Sequence, residues 1–62
     1  MLYVVEYWCS ARGCWRAACF EDGRPMEFES VDTAILAGLT VAHDGRPTRM
    51  VDGRRNVIRE FG

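Results

Sequence analysis

Residues 2–9 read LYVVEYWC, and this stretch is the starting point for predicting the fold. It is rich in aromatic and β-branched residues, which favour the pleated surface of a strand over a helix. Its odd positions, from Tyr3 to Cys9, are uniformly apolar, whereas Glu6 interrupts the even positions. Because side chains alternate between the two faces of a strand, the odd positions are predicted to face the core.

A loop and a second strand follow this first strand. Residues 10–13 (SARG) are predicted as a four-residue hairpin loop in which Gly13 supplies a positive φ. Residues 14–20 are predicted as the second strand, with Trp15 and small residues alternating with Arg16. The alanines of this strand leave room for a helix, so we expect a helix to pack over its Trp15 face.

One helix is predicted over residues 31–42. The segment before it, residues 21–29, has no sustained period and is predicted as a connector. Ser30 is placed to accept hydrogen bonds from amides of the first helical turn. At 100° per residue, one stripe of the helix is apolar and is predicted to face the sheet. This stripe comprises Val31, Ile35, Gly38, Leu39 and Ala42, with Ala34 at its edge.

The chain after the helix is predicted to form a second hairpin. Residues 43–47 (HDGRP) end the helix, because Gly45 can adopt the left-handed conformation. Residues 48–51 and 56–61 then read as two short strands joined by a turn. The order ββαββ predicts an α+β fold, in which one helix packs on one face of a four-stranded, mainly antiparallel sheet. We expect the 62 residues to form a single domain.

Length and composition exclude several classes of function. A chain of 62 residues buries only about 60% of the surface that its unfolded form exposes, so a deep catalytic cleft is not expected. No stretch approaches the roughly 20 apolar residues of a spanning helix, and residues 1–8 lack the features of a secretory signal. The sequence also shows no nucleophile, general base and oxyanion-stabilising group whose spacing would bring them together in one active site. We therefore predict a cytoplasmic protein that is not an enzyme and has no membrane partner.

The charges are distributed unevenly along the chain. All eight basic residues are arginines, a bias that a GC-rich coding sequence of a bacterium or phage would explain. Residues 20–44 carry a net charge of -5, whereas residues 45–62 carry +3. Such asymmetry influences the choice of partner more than it influences the fold.

Three cysteines at C-x4-C-x4-C spacing raise the question of a metal site. A zinc site would use Cys9, Cys14 and Cys19, with His43 as the fourth ligand. The tight spacing typical of zinc sites is missing, and strand parity separates Cys14 from the other two cysteines. A Cys9–Cys14 disulfide is geometrically allowed, but a reducing compartment favours free thiols. We predict buried thiols that act as small hydrophobes, with no metal and no cofactor.

Apolar residues outside the predicted core indicate a protein-binding surface. Leu36 and Val41 lie off the apolar stripe of the helix. Trp8 falls with Leu2 and Val4 on the sheet face that a single helix leaves open. Exposed apolar patches mark protein contacts, and Trp, Tyr and Arg are enriched at interface hot spots. We expect a protein partner or a second copy of the chain, contacted by Trp8, Leu36, Val41, Arg54 and Arg55.

The last hairpin suggests an alternative function in nucleic-acid binding. Its five arginines would neutralise phosphates, and Tyr3, Tyr7, Trp8 or Trp15 would stack on bases if they were exposed. These arginines are Arg46, Arg49, Arg54, Arg55 and Arg59. The sequence pI of about 5.7 weighs against this alternative, because nucleic-acid-binding domains are usually basic.

The string GRPTRMVD at residues 45–52 is the most distinctive motif in the chain. Together with the spacing of Trp15 and Phe20 and the alanine-rich segment 34–42, it resembles short uncharacterised accessory proteins of phages and prophages from GC-rich bacteria. The resemblance carries no catalytic residues. It implies a small protein that binds and inhibits a host bacterial protein, including components of defence systems, as anti-CRISPR proteins do. The cysteines are not part of that pattern, and the target stays open.

Overall fold

One helix and an antiparallel sheet make up the fold, which the computed structural model describes for residues 2–61. The elements are β1 (Tyr3–Cys9), β2 (Cys14–Ala17), β3 (Glu27–Phe28), α1 (Val31–Val41), a 3-10 helix (Ala42–Asp44), β4 (Thr48–Val51) and β5 (Val57–Phe61). The main strand order is β2-β1-β4-β5, and β3 also pairs with β1. The predicted α+β class is confirmed.

Strand β1 is central in the sheet and pairs with β4 along one edge. In this register Val5 lies opposite Met50, and both side chains are fully buried. Met50 belongs to the same core cluster as Ala34 of α1, with Tyr3 packed against it. Since opposed residues in antiparallel strands share a face, the odd positions of β1 face the helix. The prediction for this strand is confirmed.

Helix α1 begins at Val31 as predicted, but it ends at Val41, one residue early, because Ala42–Asp44 continues as the 3-10 helix. The backbone N–H of Thr33 donates to Ser30 Oγ over 3.4 Å, which satisfies an amide of the first turn. After the 3-10 helix, Gly45 has a φ of 84° and donates its N–H to the carbonyl of Ala42. Within residues 2–61, no helix combines the length and apolar character needed to cross a membrane.

The helix face that packs on the sheet is rotated relative to the predicted stripe. Ala34 and Gly38 are buried at its centre, whereas Leu39 is 51% exposed and Val31 is also exposed. Three members of the predicted stripe do lie on the core side, namely Ile35, Gly38 and Ala42. The predicted phase is wrong for Leu39 and Val31, which are exposed, and for Ala34, which is central. The physical reason is the Phe61 ring, which lies directly against Gly38. Small residues let the helix approach this ring closely, and the larger side chains are displaced to the flanks.

A short strand lies in the segment predicted to be an irregular connector. Strand β2 ends at Ala17, and the edge of β1 is then continued by β3, in which Phe28 lies opposite Tyr3. Val5 joins the two parts, because its carbonyl accepts from Ala18 and its N–H donates to Met26. Two paired residues are too few to show a hydrophobic period, so the sequence pattern did not indicate this strand; in the structure its Phe28 is half-buried.

Strand β2 presents Trp15 to the side of the sheet opposite the helix. Trp15 lies directly across from Trp8, and Ala17 lies across from Glu6, so these residues share the even-numbered face of β1. Arg16 instead lies across from Tyr7, on the helix side. The expectation that a helix covers the Trp15 face is therefore wrong. The four-residue loop places Cys9 and Cys14 opposite each other, and this register decides the parity of the whole strand.

Candidate binding face of the sheet

The sheet has one face that α1 does not cover, which we call the open face. It is built from the even positions of β1 and from the residues that lie opposite them in the neighbouring strands. Its residues are Val4, Glu6, Trp8, Trp15, Ala17, Glu27, Arg49, Val51, Val57 and Glu60. Two of these residues are tryptophans and three carry a carboxylate, so the open face combines aromatic and charged side chains.

Two tryptophans form the aromatic end of the open face. The rings of Trp8 and Trp15 meet edge to face, with centroids 5.6 Å apart and an interplanar angle of 71°. Cross-strand aromatic pairs of this geometry are favourable beyond the area that they bury. Trp8 nevertheless remains 37% exposed. The pair therefore presents a rigid indole surface to any partner that covers it.

An ion pair occupies the centre of the open face. Arg49 Nε donates to Glu6 Oε1 over 2.8 Å, and the two side chains are only 23% and 11% exposed. The guanidinium carbon of Arg49 also lies 4.2 Å from the centre of the Trp15 ring, as in a cation–π contact. By contrast, the pairs of Arg24 with Asp22 and of Arg46 with Asp44 join exposed near neighbours, and such pairs contribute little to stability.

A depression of about 310 Å³ opens at the other end of this face. Its apolar lining includes Leu2, Val4 and Val51, the last of which is almost fully buried. Its charged lining consists of Glu6, Glu27, Asp52 and Arg55. The depression thus combines an apolar surface with an excess of carboxylates.

Asp52 organises the turn that forms one side of this depression. Its Oδ1 accepts from the backbone N–H of Arg54 at 2.8 Å and of Asn56 at 2.9 Å. The pKa of Asp52 lies below its ordinary value, chiefly because the backbone N–H of Asn56 donates to the carboxylate. The N–H of Arg54 and the side chain of Asn56 act in the same direction, while burial opposes them. Asp52 is therefore ionised at neutral pH, and its bonds hold the turn in place.

Arg55 in the same turn has a backbone conformation that arginine rarely adopts. Its φ is 65°, in the left-handed region that glycine favours. A non-glycine residue in such a conformation costs of order 1–3 kcal/mol, and strain of this kind is concentrated at functional sites. The side chain at this strained position lines the depression.

The Arg55→Gly variant is expected to be more stable than the natural chain by about 1 kcal/mol, because the relieved strain exceeds the entropic cost of glycine. Arg54→Gly is the matched control, since Arg54 is the adjacent turn residue and has no positive φ. Urea denaturation of both variants measures the effect. If Arg55→Gly is no more stable than the natural chain, the turn is not strained as described.

The residues predicted to bind a protein partner do not form one surface. Trp8 lies on the open face and Arg55 lines its depression, with Arg54 exposed in the same turn. Leu36 is 67% exposed on the side of α1 opposite Ala34 and Gly38, so the helix and the sheet separate it from Trp8.

Val41 does not join the open face either. It is half-buried and lines a second depression, of about 430 Å³, on the helix side together with Tyr7. Val41 lies two turns after Ala34, on the helix face that packs on the sheet, so the prediction that it leaves the core stripe is wrong for the same reason as the predicted phase. Leu36 is exposed, as predicted.

The five arginines of the last hairpin also lie in different surroundings. Arg49 is held on the open face by its ion pair. Arg46 lies over the Tyr7 ring at 5.1 Å, and Arg59 lies over the Phe61 ring at 5.7 Å, both on the helix side. The five arginines therefore do not share one surface. Of the five, Arg54 and Arg55 are neighbours in the turn between β4 and β5.

Several residues of the open face were missed by sequence reasoning. Glu6, Glu27 and Glu60 were not singled out, because a lone carboxylate in a strand is usually solvated. One signal was available: Glu6 interrupts a strand that is otherwise apolar, as a residue with a specific cationic partner would. The identity of that partner, Arg49, follows only from the β1–β4 register.

The cysteines are free thiols, but they are not all buried. Cys9 lies opposite Cys14 at the end of the first hairpin, and Cys19 lies beyond β2 in a bridge with Pro25. Cys14 and Cys19 are exposed, so the prediction that all three act as buried hydrophobes is wrong. The reason is that β2 is an edge strand, whereas α1 packs mainly on β1 and β4. Nowhere in residues 2–61 do three or more His, Cys, Asp or Glu side chains form a group that could hold a metal ion.

Fold and face together define a small α+β protein with an uncovered aromatic and ionic sheet surface. No family model, curated protein or solved structure matches this chain. Its function is therefore inferred from the chemistry of the open face.

Proposed function

We propose that this chain is a non-enzymatic protein-binding module and that the open face is its interface. The observation that carries the proposal is the packing of Trp8 and Trp15 with the Glu6–Arg49 pair on a face that no element of residues 2–61 covers. Tryptophan and arginine dominate interface hot spots, particularly where they are held rigid before binding. Here each of these groups is already held by a neighbour.

The charges of the open face favour a protein over a nucleic acid. The face and its depression carry the carboxylates of Glu6, Glu27, Asp52 and Glu60. Only two arginines, Arg49 and Arg55, oppose them. A phosphate backbone approaching this surface would be repelled, although the tryptophans alone would suit base stacking.

The mode of action that we propose is inhibition by occlusion. Occlusion requires only that a small domain cover part of another protein's surface, and it needs no catalytic residues. Inhibition of a host bacterial protein, which the resemblance to phage accessory proteins implies, is consistent with this mode. The two-ended charge distribution would guide the encounter with such a target.

Replacing Trp8 with alanine is expected to weaken capture of the partner by about tenfold or more, as the loss of a hot-spot tryptophan does. The measurement is quantitative recovery of the partner by the tagged chain from nuclease-treated bacterial lysate. Leu36→Ala is the matched control, because it removes an exposed apolar side chain from the opposite side of the molecule. Thermal melting of each variant verifies that it is folded, and Trp8→Phe provides a milder change.

Three results would contradict the proposal. The interface would lie on α1 if Leu36→Ala lost the partner while Trp8→Ala kept it. The nucleic-acid alternative would replace ours if the chain recovered nucleic acid from untreated lysate and captured no protein once the lysate was nuclease-treated. Self-association would be the function of the open face if the purified chain formed dimers that Trp8→Ala dissociated and no other protein was recovered.

A further inference from the structure

We infer that the depression of the open face binds a cationic side chain, an arginine or a lysine that the partner protein presents. This inference rests on the proposed function and specifies the chemistry of the partner. It is carried by the shape, the apolar lining and the charge of the depression, each of which fits a long side chain that ends in a positive charge.

The size and the lining of the depression suit the aliphatic part of such a side chain. Its volume of about 310 Å³ lies at the lower end of the range found for ligand sites. Leu2, Val4 and Val51 provide apolar contacts. Arginine and lysine place their methylene stems along apolar surface of this kind while their charged ends reach polar groups.

The charge of the depression suits the ionic end. Three carboxylates, those of Glu6, Glu27 and Asp52, line it against the single guanidinium of Arg55. The Glu6 carboxylate accepts a hydrogen bond from Arg49 and is largely neutralised by it, and the oxygens of Asp52 accept hydrogen bonds within the turn.

Glu27 is the carboxylate that is available to a ligand. It is exposed at the first position of β3, and within residues 2–61 no hydrogen bond or ion pair engages its side chain. Because an unpaired carboxylate beside an apolar surface attracts cations and repels anions, the depression discriminates by charge as well as by shape.

The test uses two small probes that differ mainly in charge. n-Butylguanidinium carries the end group of arginine on an aliphatic stem, and n-butylurea is its neutral analogue. In a titration followed by amide NMR, n-butylguanidinium is expected to produce saturable shifts at the backbone amides of Val4, Val51 and Gly53. n-Butylurea is expected to bind at least about threefold more weakly, because it lacks the attraction of the carboxylates.

Two variants that remove charges of opposite sign from the depression provide a second test. Glu27→Gln is expected to weaken n-butylguanidinium binding by about two- to fivefold, and Arg55→Gln to strengthen it by a similar factor, as single exposed charges do. Glu21→Gln is the matched control: it removes a carboxylate from the same acidic segment but outside the depression. Its affinity for the probe is expected to stay unchanged.

The inference is overturned if n-butylguanidinium does not saturate the site, if n-butylurea binds equally well, or if Glu21→Gln and Glu27→Gln have equal effects. Such results leave the proposed function standing wherever Trp8→Ala still loses the partner from lysate. Conversely, a depression that binds the cationic probe in a chain that captures no protein would refute the proposed function and leave the cation site in place.

Discussion

Replacing Gly38 with alanine is expected to destabilise the fold by about 2 kcal/mol, although alanine is the better helix former by about 1 kcal/mol. A Cβ at this position would overlap Cε2 and Cζ of the Phe61 ring. That ring is buried in the core cluster with Ala34 and Met50, so it has little freedom to move. The cost of overpacking therefore exceeds the gain in helix propensity, and urea denaturation measures the difference.

Two further variants establish the cause of this loss. Gly53→Ala is the matched control, because a Cβ at Gly53 meets no atom within 4 Å; it is expected to be neutral or slightly stabilising. Phe61→Leu replaces the ring with a smaller side chain and so removes the overlapping atoms. In that background, Gly38→Ala is expected to lower the free energy of unfolding by less. A Gly38→Ala chain that is as stable as the natural one would show that the helix and the ring do not meet as described.

Breaking the ion pair of the open face is the second change with a large expected effect. Arg49→Ala leaves the Glu6 carboxylate, which is 11% exposed, without its cation, and removes the contact with Trp15. Removal of one partner from a fully buried pair costs about 3–5 kcal/mol. Because Arg49 retains some access to water, we expect a loss of about 2–3 kcal/mol, measured by urea denaturation at neutral pH.

The double variant Glu6→Met with Arg49→Met separates stability from recognition. Apolar residues of similar size often replace a buried ion pair without loss of stability, so the double variant is expected to be more stable than Arg49→Ala. It is nevertheless expected to lose the partner, because the charges that define the centre of the open face are gone. Partner capture at full strength by the double variant would exclude the pair from the interface.

This contrast suggests why the chain places an ion pair on the open face. An apolar face beside Trp8 and Trp15 would be simpler to stabilise, but it would also adhere to many surfaces. A near-buried pair requires a partner whose charges complement it, and this requirement restricts the partners that the face accepts. Under the proposed function, Glu6 and Arg49 therefore serve to make binding at the open face specific.

Local signals made much of the architecture predictable. The alternation in residues 2–9, the cap at Ser30 and the left-handed conformation of Gly45 each depend on a few neighbouring residues, and each prediction is confirmed. The same holds for the second hairpin and for the α+β class. These features follow from conformational preferences that a short segment carries wherever it lies in the fold.

The composition of the open face could not be predicted in the same way, because tertiary contacts decide it. The loop at residues 10–13 sets the register that turns Trp15 away from the helix, and the contact between Gly38 and Phe61 sets the phase of α1. Glu6 and Arg49 are 43 residues apart and meet only through the pairing of β1 with β4. A shift of one residue in that pairing would place Arg49 on the helix side. The sequence by itself therefore determined which elements form, and the long-range pairing of strands decided which side chains share the open face.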